Sequence, residues 1–149
     1  TKLDGSAHVL LYGYGSYGMS MSPSFSSTRL SLINRNIIWV TCHIRGGMER
    51  GMRWWKEGKM LNKKNTFSDF ISCAKFLIEK KYTSKKKIIA YGGSAGGLLL
   101  GSTINQIPDL LLEAIMAVPF VDNLTTNMDH SLPLTKGALL EFVDPKNIK

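Results

Sequence analysis

Strand-like and helix-like segments take turns along this chain, and that alternation constrains its fold more than any other feature. His8-Val-Leu-Leu-Tyr12, Ile37-Ile-Trp-Val-Thr-Cys42, Lys87-Ile-Ile-Ala-Tyr91 and Ala114-Ile-Met-Ala-Val118 are short and β-prone. The second and fourth are continuously apolar in the manner of strands covered on both faces. Between them the period changes. Phe25, Leu30, Leu32 and Ile33 suit a helix within Ser24–Asn34, and Phe67, Phe70, Ile71, Ala74, Leu77 and Ile78 predict one from Asn65-Thr66 to about Lys81. Leu98 to about Ile104 reads as an apolar helix ended before Pro108. Strands that alternate with helices pair in parallel through right-handed crossovers. The predicted class is therefore α/β, a mainly parallel sheet with helices on both faces. Beyond Phe120 the pattern weakens, because Leu124 to Lys149 holds Pro133, Gly137 and Pro145 and shows no strong period.

Composition narrows the functional classes. The 149 residues make about one domain. Hydrophobic residues at 44% exceed what a disordered tail carries. No apolar run is long enough to span a membrane, and Thr1-Lys2-Leu3-Asp4-Gly5 lacks the pattern of a secretory signal. Cys42 and Cys73 cannot build a disulfide scaffold or a four-thiolate metal site, and a cytoplasmic protein is the expectation. The net charge is +8, densest at Lys80, Lys81, Lys85, Lys86 and Lys87. That cluster falls at a predicted helix end and the following loop, without aromatics interleaved for base stacking. It reads as a solvated surface rather than a nucleic-acid face.

Gly92-Gly93-Ser94-Ala95-Gly96 matches G-x-S-x-G. Its context matters more than the match, for it joins a strand to an apolar helix, the position of a nucleophile elbow. A sharp strand-to-helix turn lifts a serine hydroxyl above the sheet, and the helix start aims backbone N–H groups at a developing oxyanion. A phosphate-cradling turn is the competing reading, but it needs Lys and then Ser or Thr after its last glycine. Here Leu98-Leu99 follow Gly97. Tyr12-Gly13-Tyr14-Gly15-Ser16-Tyr17 ends the first predicted strand at the same carboxyl edge as Ser94, where open α/β sheets bind ligands.

Leu11-Tyr-Gly-Tyr-Gly-Ser-Tyr17, His43-Ile-Arg-Gly-Gly47, Asn65-Thr-Phe-Ser-Asp-Phe70, Tyr82-Thr-Ser84 and Gly92-Gly-Ser-Ala-Gly-Gly97 together closely resemble the peptidase domain of the prolyl oligopeptidase family. Val118-Pro-Phe-Val-Asp122 and Ser131-Leu-Pro-Leu-Thr135 look most like its oligopeptidase B branch. The resemblance implies part of an α/β-hydrolase fold and a cytoplasmic serine peptidase that cleaves short peptides, gated by a β-propeller, with no metal or cofactor. It makes Ser94 the nucleophile, and Tyr14 with the N–H of Ala95 the oxyanion hole. Tyr17 falls where the family places an aromatic in the specificity pocket.

The chain also departs from that pattern. A serine needs a base and an orienting carboxylate, and the family's catalytic Asp and His correspond to positions beyond Lys149. The propeller and the last part of the hydrolase sheet are likewise expected to be absent, leaving the edge beside the fourth strand unpaired. The chain is thus expected to be a truncated peptidase domain, nearly inert alone and active only if a second polypeptide supplies the missing parts. A non-catalytic scaffold that uses the open edge or the basic face is the alternative. Asp122 and His130 stand in the right order for a substitute triad, and His8 and His43 read as structural. In the specificity segment Thr135-Lys136-Gly137-Ala138-Leu139-Leu140-Glu141-Phe142, Ala138 and Leu140 replace the two carboxylates that receive a basic side chain in the oligopeptidase B branch. Glu141 is the remaining carboxylate, available if the register shifts.

Overall fold

The computed structural model describes residues 3–147. Thr1 and Lys2, at the head of the N-terminal segment read above, lie outside the described residues, as do Ile148 and Lys149.

Strands β1 (Val9–Tyr12), β2 (Ile38–Thr41), β3 (Ile88–Gly93) and β4 (Glu113–Ala117) form one sheet in the order β2-β1-β3-β4. Every pairing is parallel: Tyr12 lies opposite Thr41 and Tyr91, and Gly93 lies opposite Ala117. All strands therefore end at one rim, where the segments leaving β1, β3 and β4 are neighbours. Helices α1 (Ser27–Ile33), α2 (Met52–Lys56) and α3 (Lys64–Glu79) precede β3, and α4 (Ala95–Gln106) follows it. Two short α-helices follow β4, α5 (Asn123–Met128) and α6 (Thr135–Ala138), and a 3-10 turn, Pro145–Asn147, comes after them.

The alternation of side chains along each strand sorts the core. Val9, Leu11, Ile88 and Ala90 are fully buried against Phe70, Ala74 and Leu77 of α3 and Leu99 and Leu100 of α4. Burying each of the larger ones contributes about 1.5–3 kcal/mol. The opposite face carries Tyr12, with its ring 6.0 Å from Trp39 and 5.5 Å from Tyr91. Arg29 of α1 sits 4.6 Å above the Trp39 ring, so helices flank both faces as predicted.

Two expectations need correction. β2 and β4, read as covered on both faces, are the outer strands of the described sheet. Every residue of β2 is half-buried, while Ile115 and Met116 of β4 are 47% and 38% exposed. Apolar composition reports that a surface is suited to burial, not that a neighbour is present to bury it. The end of α4 nearer the sheet also starts earlier than predicted, at Ala95 rather than Leu98, because its small residues carry no apolar period. Among the described residues no helix is long and apolar enough to cross a membrane.

Candidate active site

Ser94 stands between the last residue of β3 and the first of α4 with φ 52° and ψ −117°. Non-glycine residues rarely adopt a positive φ, and those that do concentrate at functional sites. Three backbone hydrogen bonds hold the turn in place. Ser94 N–H donates to Ala117 O at 3.0 Å, and Ser94 O accepts from Gly97 at 2.8 Å and from Phe120 at 2.9 Å. The serine is exposed while Ala95, Gly96 and Gly97 behind it are buried. Its side chain thus stands at the carboxyl rim rather than in the core.

The β1 exit loop is brought to this turn by close backbone approach. A Cβ placed on Gly96 would lie 2.8 Å from Gly13 O and 3.6 Å from the Tyr14 Cα, a gap that only glycine leaves open. Tyr14 consequently reaches Ser94, and the two side chains interact. Burial pushes the Tyr14 phenol above its ordinary value, with Tyr12 and Glu141 adding to the rise and Ser94 pulling it back. Tyr14 therefore stays a neutral O–H donor near pH 7. Ala95, as the first residue of α4, has an N–H with no acceptor inside the helix.

Beside Ser94 lies a cavity of about 240 Å³ lined by Tyr17, Val118 to Phe120, Thr126, Asn127, Pro133 to Thr135 and Ala138. Tyr17 packs edge-on to Phe142 at 6.0 Å, and Phe142 lies 5.7 Å from Phe120. Burial is the main cause that pushes the Tyr17 phenol up to about 12. The structure thus brings Ser94, Tyr14, Ala95 and Tyr17 together at one rim.

Other candidates are placed elsewhere. Asp122 Oδ1 accepts from Thr125 N–H at 3.0 Å as the N-cap of α5, His130 is exposed, and neither lines the cavity. His43 Nε2 bonds to Met21 O at 2.8 Å, and His8 is exposed at the start of β1. Of the two carboxylate-replacing positions, Ala138 lines the cavity but Leu140 does not and is 70% exposed. Glu141 is also committed, and the register shift that would free it does not occur. Its Oε1 accepts from Lys63 Nζ and its Oε2 from Trp55 Nε1, both at 2.9 Å.

Lys63 is one residue that sequence reasoning missed. Its buried ammonium also donates to Gly15 O at 2.7 Å and Ser16 Oγ at 2.6 Å. It ties the loop bearing Tyr14 and Tyr17 to the segment that walls the cavity. Asn127 and Thr126 of α5 were missed as well, since a six-residue helix leaves no readable period.

With this geometry in view, comparison with known proteins is informative. The sequence profile described as Prolyl oligopeptidase family matches residues 23–149. The chain belongs to the prolyl oligopeptidase family. Within it, the chain is 50% identical over 143 residues to Protease 2 of Moraxella lacunata, covering 96% of this chain and 21% of that protein. It is 46% identical over 143 residues to Dipeptidyl aminopeptidase BI of Pseudoxanthomonas mexicana, covering 96% of this chain and 20% of that one. The structure of oligopeptidase B from Trypanosoma brucei with covalently bound antipain superposes with a TM-score of 0.95 at 44% identity, covering 99% of this chain and 21% of the other. This member of the prolyl oligopeptidase family therefore spans about a fifth of the length of the relatives it matches.

Proposed function

We propose that these residues carry the nucleophile half of a serine peptidase acting on short peptides. The observation that carries the reading is Ser94: exposed, held at φ 52° between β3 and α4, with Tyr14 against it. Ser94 Oγ attacks the peptide carbonyl carbon as a base takes its proton. The resulting oxyanion is received by the Tyr14 O–H and the Ala95 N–H, donors fixed before the charge develops. Collapse expels the amine, which takes a proton from the protonated base, and leaves an acyl ester on Ser94 that water hydrolyses. Tyr17 walls the cavity that receives the substrate side chain.

The base and its orienting carboxylate come from polypeptide outside these 149 residues, since neither Asp122 nor His130 lines the site. That is the basis for expecting the isolated segment to be nearly inert.

Fluorophosphonate labelling tests the assignment. The intact native polypeptide that carries this segment should be labelled rapidly at Ser94 and not at all as Ser94→Ala. The 149-residue segment alone should label slowly. Labelling of the intact polypeptide only at another serine would overturn the role of Ser94, and rapid stoichiometric labelling of the isolated segment would overturn its inertness.

A further inference from the structure

We propose that Cys42 and Cys73 form a reversible dithiol–disulfide site, oxidised by a peroxide, whose bridge straps the exit of β2 to α3. Neither cysteine lines the cavity beside Ser94, so this site is independent of the nucleophile assignment.

Position comes first. Cys42 is the residue after β2 and Cys73 lies within α3. They are 31 residues apart in sequence, yet the Cys42 Sγ–H donates to Cys73 Sγ at 2.6 Å. Both thiols are free. A disulfide holds its sulfurs about 2.05 Å apart, so bonding asks for a movement of roughly half an ångström. The same two segments are already joined one helical turn away. There Asp69 Oδ2 accepts from the Arg45 backbone N–H at 3.0 Å and from Arg45 Nε at 2.8 Å. The thiols therefore face each other across a contact that is held independently of them. A metal suits the pair less well, because zinc sites draw on further ligands. Among the described residues, no group of three or more His, Cys, Asp or Glu stands together to supply them.

Asymmetry gives each sulfur its part. Cys42 is 3% exposed, while Cys73 is half-buried, with Ser72 and Phe76 exposed beside it on α3. The bond from Cys42 holds the Cys73 thiol below its ordinary value, and that same bond together with burial pushes the Cys42 thiol well above. Cys73 is the thiol that ionises first and that solvent reaches, which makes it the attacking sulfur. Its thiolate attacks one peroxide oxygen, the O–O bond breaks, and the departing hydroxide takes up a proton as water, leaving a sulfenic acid on Cys73. The Cys42 sulfur then attacks the Cys73 sulfur. The S–O bond breaks as the S–S bond forms, and the sulfenic oxygen leaves as water with the Cys42 proton. Two thiols are oxidised and one peroxide is reduced to two waters. A dithiol reductant reverses the bridge by exchange. The closed stretch of chain includes Lys63, which holds the loop bearing Tyr14 and Tyr17 through Gly15 O and Ser16 Oγ.

The test uses the intact native polypeptide that carries this segment, fully reduced and then exposed to hydrogen peroxide. After free thiols are blocked, digestion should yield a joined pair of peptides holding Cys42 and Cys73, which dithiothreitol separates. Cys42→Ser should leave Cys73 as a sulfenic acid that dimedone captures, and Cys73→Ser should slow oxidation of Cys42 by about 10-fold or more. The bridged protein should unfold on heating several-fold more slowly than the reduced one. Cys42→Ser/Cys73→Ser should show no such gain after peroxide. Recovery of both cysteines as thiols, or as separately oxidised residues, overturns the inference. Oxidation of Cys42 that is just as fast in Cys73→Ser overturns Cys73 as the attacking sulfur. Joined peptides with unchanged heat resistance overturn the strap, as does a gain that persists in the double variant.

Discussion

Lys63 Nζ lies 2.9 Å from Glu141 Oε1, in an ion pair whose side chains are 11% and 1% exposed. It joins the loop carrying Tyr14 and Tyr17 to the segment that follows α6. Removing one partner strands the other charge, at a cost of about 3–5 kcal/mol. Lys63→Met and Glu141→Gln should each lower the free energy of unfolding by about that amount, read from urea denaturation. The double variant Lys63→Met/Glu141→Leu should recover most of the loss, because an apolar pair leaves no buried charge behind. Two single losses that simply add in the double variant would refute the pairing.

Backbone strain at Ser94 predicts an opposite effect. A residue held in a sparsely populated φ/ψ region costs about 1–3 kcal/mol, and glycine pays far less for φ 52°. Replacing Ser94 by glycine also loosens the unfolded chain by about 0.4–1 kcal/mol. Ser94→Gly should therefore be more stable than the parent by about 1 kcal/mol, whereas Ser94→Ala should gain nothing comparable. Calorimetric melting of the two variants distinguishes them, and equal stabilities would show that the turn stores no strain.

Gly96 sets the distance between the two halves of the site. An alanine methyl there would meet Gly13 O at 2.8 Å, and that oxygen belongs to backbone that cannot swing away. Gly96→Ala should destabilise the fold by about 1–3 kcal/mol and move Tyr14 away from Ser94. In the intact polypeptide the fluorophosphonate rate should fall at least 10-fold, a consequence of losing a preorganised donor. An unchanged rate would mean that Tyr14 is not held in place by this contact.

The tyrosines give a pH signature. Tyr17 titrates at about 12 in the folded chain against an ordinary value of 10.0. A folded-state value above the unfolded one means that the folded state holds its proton longer. The stabilising contribution is complete below pH 10 and is lost as the pH rises toward 12. Tyrosinate absorbance should show this late step in the parent and lose it in Tyr17→Phe. The variant should also show a shallower fall in stability above pH 10.

What could be read from the chain alone follows the range of the forces involved. β1, β3, α3 and α4 were legible because their periodicity is local. The Ser94 turn was legible because a strand, four glycines and an apolar helix meet within a dozen residues. Tyr14 could be placed near Ser94 because both follow strands that end at the same rim. Lys63 and Glu141 could not be paired that way, being 78 residues apart and each ordinary as a surface residue type. Asn127 is equally inconspicuous in sequence, and only the fold reveals that its amide oxygen is buried and unpartnered. The exposure of β4 was hidden because Ala114-Ile-Met-Ala-Val118 has the composition of an inner strand.

That outer strand also bears on how these 149 residues would behave as an isolated segment. One side of β4 is hydrogen-bonded to β3; among the described residues no strand pairs with its other side, and Ile115 and Met116 are exposed there. Such a border is a growth front, ready to recruit any extended stretch of backbone that reaches it. Colloidal behaviour of the isolated segment should therefore depend on its concentration and on whatever caps that border, more than on the overall positive charge.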